Sequence, residues 1–211
     1  MWAHSKEQQE KLSPEDALEF LKQGNQRFLG NLKQHRNLLH QVNQTSDNQF
    51  PFAVILSCID SRTSAELIFD QGLGDIFSIR IAGNILNDDI LGSMEYACAV
   101  VHSKIVVVLG HTKCGAVISA CDRAGTGYMK GLLRKIEPAI EMETQTVDTR
   151  NGANLSFVSN VSRNNVLLTI AQIRKRSSIL RELESTGKIR IAGALYDVET
   201  GEVSFFDSSL T

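Results

Sequence analysis

Two short stretches of the chain bring together side chains that bind metals and handle protons. In Cys58-Ile59-Asp60-Ser61-Arg62 a thiol, a carboxylate and a guanidinium fall within five positions. In Gly110-His111-Thr112-Lys113-Cys114-Gly115 an imidazole and a second thiol are separated by two residues. Two thiolates and an imidazole form a Cys₂His donor set that suits Zn²⁺ and leaves a fourth position open. The His-x-x-Cys spacing lets one turn aim both ligands at one ion, and Cys114 falls at a predicted helix start, where backbone N–H groups favour a thiolate. Asp60 has two roles open to it. It closes the site as a fourth ligand, or it pairs with the fork of Arg62 and leaves that position to water. A Cys58–Cys114 redox pair is a competing reading, but it leaves His111 and the Asp-x-Arg spacing without a purpose. Taken singly, a cysteine after a strand is more often a small buried hydrophobe.

These residues need elements that bring them together. Apolar segments at Phe52–Leu56, Ile76–Ile81, Lys104–Leu109 and Lys188–Tyr196 are rich in Val, Ile and Leu, as in strands covered on both faces. Helical stretches at 63–70, 89–102, 114–123, 129–143 and 163–186 alternate with them, which predicts right-handed βαβ crossovers. Ser13-Pro14-Glu15-Asp16 caps a helix over 14–29, whose apolar Leu18, Leu21, Phe28 and Leu29 lie near helical spacing. Residues 31–51 read as a polar loop or extended arm, and Tyr196–Phe206 as a hairpin. The fold class is therefore α/β: a single domain over 1–211, with an N-terminal helix and arm (13–50) and an α/β core (51–206). Its central sheet is mostly parallel, flanked by helices, with an antiparallel edge strand near the C-terminus. In such sheets sites form beyond the carboxyl ends of strands where the strand order reverses. Cys58 follows the first predicted strand and His111 the third; if those strands are neighbours, Cys58, His111 and Cys114 converge. Another strand ends in Arg80-Ile81-Ala82-Gly83-Asn84, where Arg80 is open to anion binding, subunit bridging or simple solvation.

Composition narrows the setting. The chain has 211 residues, 42% hydrophobic, with 22 basic and 24 acidic side chains and a net charge of −2. No basic stripe supports a nucleic-acid partner, and no apolar run reaches the roughly 18–20 residues of a membrane span. The polar start predicts a cytoplasmic protein, although an export signal removed beforehand would leave no trace. The four cysteines (Cys58, Cys98, Cys114, Cys121) are not needed as disulfide staples at this length.

The motifs C-x-D-S-R (Cys58–Arg62), R-x-A-G-N (Arg80–Asn84) and G-H-x-x-C-G (Gly110–Gly115) resemble, in type and order, those of the β-class carbonic anhydrases, over approximately residues 14–206. The resemblance implies zinc on Cys58, His111 and Cys114, and Asp60 with Arg62 as a catalytic dyad. It further implies substrate contacts from Gln49, Phe77, Ala82, Tyr96 and the Gly115 N–H, with Gln49 and the aromatics reaching the site across a dimer interface. The implied assembly is a homodimer or homotetramer that pairs sheets and exchanges N-terminal arms. One position departs. The subgroup that closes its zinc with the motif aspartate and binds regulatory bicarbonate carries tryptophan where this chain has Ile55, which argues for an open site. The expected activity is the zinc-dependent lyase reaction that reversibly hydrates CO₂ to bicarbonate and a proton. The alternatives are a COS or CS₂ hydrolase on the same metal site, with Ala82 widening the pocket, and a catalytically silent zinc-binding assembly protein. His102 is the histidine to weigh as a proton shuttle, but nothing in the spacing brings it near the metal.

Overall fold

The structure, a computed structural model, describes residues 5–206. In chain order, α1 is Lys6–Lys11, α2 Pro14–Leu29, α3 Leu38–Gln44, β1 Ala53–Ser57, α4 Ala65–Ile68, β2 Ile76–Arg80, α5 Asp88–Glu95 and β3 Ile105–His111. There follow α6 Gly115–Cys121, α7 Met129–Leu133, α8 Glu137–Met142, α9 Leu155–Arg176, α10 Ser178–Ser185, β4 Arg190–Tyr196 and β5 Val203–Phe206. The sheet order is β2-β1-β3-β4-β5, parallel except for the last pair. This is the predicted architecture, and β1 and β3 are neighbours, with Ser57 opposite Leu109.

The continuous Val/Ile/Leu runs of β1 and β3 are buried on both faces because helices cover both. Strand alternation sends Ala53, Ile55, Val107 and Leu109 to one layer, where they meet Ala17, Leu18 and Leu21 of α2 and Phe69. Val54, Leu56, Val106 and Val108 go to the other, against Met94 of α5 and Val166, Ile170 and Ile173 of α9. Each such side chain contributes about 1.5–3 kcal/mol at most on burial, and together they hold β1 and β3 in register. No helix among the described residues is long and apolar enough to cross a membrane.

Helix α2 begins and ends where its sequence predicts. Ser13 and Asp16 form a reciprocal capping box, and Pro14 takes the first turn. Elsewhere the expected boundaries shift, each for a local reason. The segment 31–51 contains α3, capped by Asn37, whose side chain accepts from His40 N. Helix α1 is almost wholly polar and so shows no apolar period; it is anchored by Gln9, whose Nε2 donates to Pro51 O and Val101 O at 2.8 and 2.9 Å. The stretch 129–143 divides at Pro138, which stands in the first turn of α8. Helix α9 starts earlier than expected, at Leu155, and the 163–186 stretch breaks at Ser177. That hydroxyl accepts from Leu180 N to cap α10 and donates to Glu95 at 2.6 Å. The predicted 89–102 helix changes at Tyr96 to a π-helical turn running to Val100.

Helix α2 crosses close over the end of α4. A Cβ on Gly24 would lie 1.7 Å from the Phe69 carbonyl oxygen, and the neighbouring Asn25 donates to Ile68 O and Gly201 O while accepting from Val203 N. Gly24→Ala is therefore expected to destabilise the protein by about 1–3 kcal/mol or more through overpacking, read as a lower urea midpoint with an unchanged slope.

Candidate metal centre

Because β1 and β3 run parallel and adjacent, both release their chains at the same edge of the sheet. The chain leaves β1 to one side towards β2, whereas β3 lies on the other side, so this edge is the point at which strand order reverses. Cys58 stands one residue past β1, His111 closes β3, and Cys114 follows a tight turn with Lys113 in the left-handed region (φ 54°). The Sγ atoms of Cys58 and Cys114 and a ring nitrogen of His111 all lie within 4.8 Å of one another, and all three residues are buried.

Two features of this group fit a tetrahedral ion. The sulfurs are 3.9 Å apart and unbonded, and two Zn–S bonds of about 2.3 Å at a tetrahedral angle would separate them by about 3.8 Å. The His111 Nδ1 donates to the Thr112 carbonyl at 2.8 Å, which directs the Nε2 lone pair into the site. That Nε2 is buried and has no hydrogen-bond partner. A buried acceptor without a partner costs about 1–3 kcal/mol, a cost that a cation would remove. Against a disulfide reading, the imidazole shares the space with both sulfurs.

Burial sets these groups in an apolar surround with Val117, Leu133, Ile136 and Phe157. The Cys58 thiol is nonetheless drawn down, chiefly because the Cys114 thiol donates to its sulfur, with the backbone N–H of Gly83 adding to the effect. Gly83 N lies 3.3 Å from the Cys58 sulfur. Cys114 is pushed up in return, first by its hydrogen bond to Cys58 and then by burial, although Val117 and Ala116 at the start of α6 pull the other way. The two sulfurs oppose each other's ionisation, and a divalent ion would favour the thiolate of both.

Asp60 faces Arg62. Arg62 Nε and Nη2 reach the two carboxylate oxygens at 2.9 and 2.8 Å, and Arg62 N caps Oδ1 at 3.0 Å. Arg62 holds the Asp60 carboxyl well below the usual carboxylate range. Its Oδ2 is 4.0 Å from His111 Nε2, beside the donor group rather than within it. The loop between ligand and carboxylate is clamped from below. Arg80 donates to the carbonyls of Cys58 and Asp60 at 3.1 and 2.7 Å, and the Thr63 hydroxyl lies 3.0 and 2.9 Å from the same two oxygens. Arg80 thus grips the loop, a use that spacing alone left open. Thr63 carried no signal in the sequence at all.

A cleft of about 440 Å³ opens beside Cys58. Ala82 and Gly115 line it with Cys58 and Asp60, and Met129, Leu132 and Leu133 supply an apolar wall that the sequence did not announce. Phe77 and Tyr96 lie elsewhere in the same chain, in a separate groove with Ile79, Asp88 and Asp89. Gln49 is exposed in the segment before β1 and lines neither. His102 precedes β3, at the opposite end of the strand that carries His111. Seven residues of strand put about 20 Å between them, so His102 is no proton shuttle within one chain.

The carbonic anhydrase family model matches residues 53–203. Carbonic anhydrase 2 of Mycobacterium tuberculosis is 37% identical over 202 residues, covering 92% of this chain and 94% of that protein. The carbonic anhydrase of Mycolicibacterium smegmatis is 34% identical over 197 residues, covering 90% and 92%. Among solved structures, the β-carbonic anhydrase CafA of Aspergillus fumigatus superposes with a TM-score of 0.72 at 26% identity, covering 82% of this chain and 83% of that one. The β-carbonic anhydrase CcaA gives 0.71 at 24%, covering 90% and 95%, a likeness of fold. With its parallel sheet, its three motifs at strand ends and these relatives, the chain belongs to the β-class carbonic anhydrases.

Proposed function

We propose that Cys58, His111 and Cys114 bind Zn²⁺ and that the protein reversibly hydrates CO₂ to bicarbonate and a proton. The observation that carries the reading is the buried Cys₂His group with its unpartnered His111 Nε2. Bound zinc would supply Lewis acidity, lowering the pKa of a water from 15.7 towards about 7. The chain's own residues do the rest. Thr112 O holds the His111 tautomer, and the Gly83 N–H holds the Cys58 sulfur. Asp60, kept ionised and oriented by both arms of Arg62, accepts a hydrogen bond from the attacking water and so directs its lone pair. Ala82, Leu132 and Leu133 give uncharged, apolar CO₂ a non-polar place beside that water. Arg80 and Thr63 keep Asp60 at a constant distance from the ligands.

The reading includes a homodimer or a pair of dimers. Among the described residues no strand pairs with the outer edge of β2, and Tyr96 (57% exposed) lies beside Phe77 and Ile79 of that strand. Pairing two chains along that edge is the means by which Gln49, Phe77 and Tyr96 would approach a partner's cleft. The four free cysteines suit a reducing compartment, the cytoplasm.

Stopped-flow hydration of CO₂ with metal analysis tests the central claim. One zinc per chain with hydration that rises from about pH 7 to about pH 9 is expected; stoichiometric zinc without hydration would sink it, and parallel assays with COS and CS₂ would then identify the hydrolase. Cys58→Ser is expected to lose tight zinc binding, and full metal content in that variant would overturn the ligand assignment. Asp60→Ala should keep its zinc yet lose about 10²-fold in kcat/KM. Sedimentation equilibrium should return a dimer or tetramer mass; a monomer with full activity contradicts the shared-cleft arrangement.

A further inference from the structure

Helix α9 buries three polar side chains among Val166, Ile170 and Ile173: Ser162, which returns its hydroxyl to Val158 O of its own helix, and Asn165 and Thr169, which reach beyond it. Asn165 is 1% exposed and Thr169 3% exposed. An amide or hydroxyl buried in a helix lowers stability unless it is hydrogen-bonded, and both are spent on one target. Asn165 Nδ2 donates to Gly83 O at 2.8 Å, and Thr169 Oγ1 to Asn84 O at 3.4 Å, one helical turn further on.

The target is the turn at the end of the R-x-A-G-N motif. Gly83 (φ 69°) and Asn84 (φ 41°) are both in the left-handed region, which glycine adopts freely and asparagine more readily than other residues, and which is held where the surroundings enforce it. Space makes the same demand: a Cβ on Gly83 would come within 2.8 Å of Ile136 Cδ1 and 3.3 Å of Ala116 Cβ. The consequence of the turn is the direction of one N–H, that of Gly83, onto the Cys58 sulfur at 3.3 Å. The chain of contacts therefore runs Asn165, Gly83 carbonyl, Gly83 N–H, Cys58 sulfur.

We propose that Asn165, supported by Thr169, is a positioning residue of the metal centre. By holding the Gly83–Asn84 turn it fixes the N–H that orients and stabilises the Cys58 thiolate as a ligand. The inference rests on the metal-site reading above. Outer partners of metal ligands typically change metal affinity or activity about 10–100-fold, so removal of the amide should act on metal binding as well as on turnover.

The test uses the full chain loaded with Co²⁺ or Zn²⁺, with Asn165→Ala and Thr169→Val against Asn164→Ala. Asn164 is adjacent on the same helix but donates to Ala139 O, away from the turn. Asn165→Ala is expected to weaken Zn²⁺ about 10-fold in competition with a chromophoric chelator, and to shift the thiolate-to-cobalt charge-transfer absorption. Thr169→Val keeps its volume and should shift that band in the same direction; it carries the test should Asn165→Ala fail to fold. Asn164→Ala should leave affinity and spectrum as in the unaltered chain. Unchanged affinity and spectrum in the folded test variants would overturn the proposal, as would an equal change in Asn164→Ala, which marks general loosening of the helix. Failure of the unaltered chain to bind Co²⁺ or Zn²⁺ would instead overturn the metal-site reading, and this inference with it.

Discussion

Two sulfurs and an imidazole nitrogen, all buried within 4.8 Å of one another, satisfy each other only in part: one thiol meets the other sulfur, and the His111 Nε2 is left without a partner. Two thiolates repel, and a neutral imidazole whose other nitrogen is already committed offers only a lone pair. In an apolar surround such a group is costly without a cation. Much of the architecture at this edge of the sheet serves to keep it assembled. β1 and β3 supply the rigid part, since strands buried on both faces have no freedom to let Cys58 and His111 drift apart.

The contacts around the group divide by what they fix. Thr112 O fixes which imidazole nitrogen faces inward. The Gly83 N–H meets one sulfur, and the start of α6 meets the other. Arg80 and Thr63 bind the carbonyls of Cys58 and Asp60, so the ligand and the carboxylate move as one piece. Arg62 then determines where that carboxylate points. Its two-pronged contact turns Asp60 from the donor group and keeps it ionised.

The fold was legible wherever local pattern and tertiary packing agreed. α2 carried its cap, its proline and its apolar spacing in sequence, and the structure begins it at Pro14. The parallel strands were visible as uninterrupted apolar runs because both faces are covered. The elements that shifted are those whose ends depend on distant partners. Ser177 breaks the last long helix while its hydroxyl bonds Glu95, and α1 is held by one glutamine reaching two carbonyls rather than by an apolar face. No sliding window along the chain contains those partners.

The same division holds at the site. Residue types, spacing and placement at strand ends singled out Cys58, His111 and Cys114 as a converging group, Asp60 and Arg62 as a pair, and an open α/β sheet, because donor chemistry and bidentate pairing are properties of the side chains. Tertiary structure alone decided which way Asp60 faces, that Arg80 grips a loop, that Phe77 and Tyr96 lie in a different groove from the sulfurs, and that Asn165 reaches the Gly83 turn. The Asp60–Arg62 contact is local, and the structure only chose it over a contact with the donor group; the others bring together segments far apart in the chain, set by strand order and helix packing, and nothing in the identity of either residue specifies them.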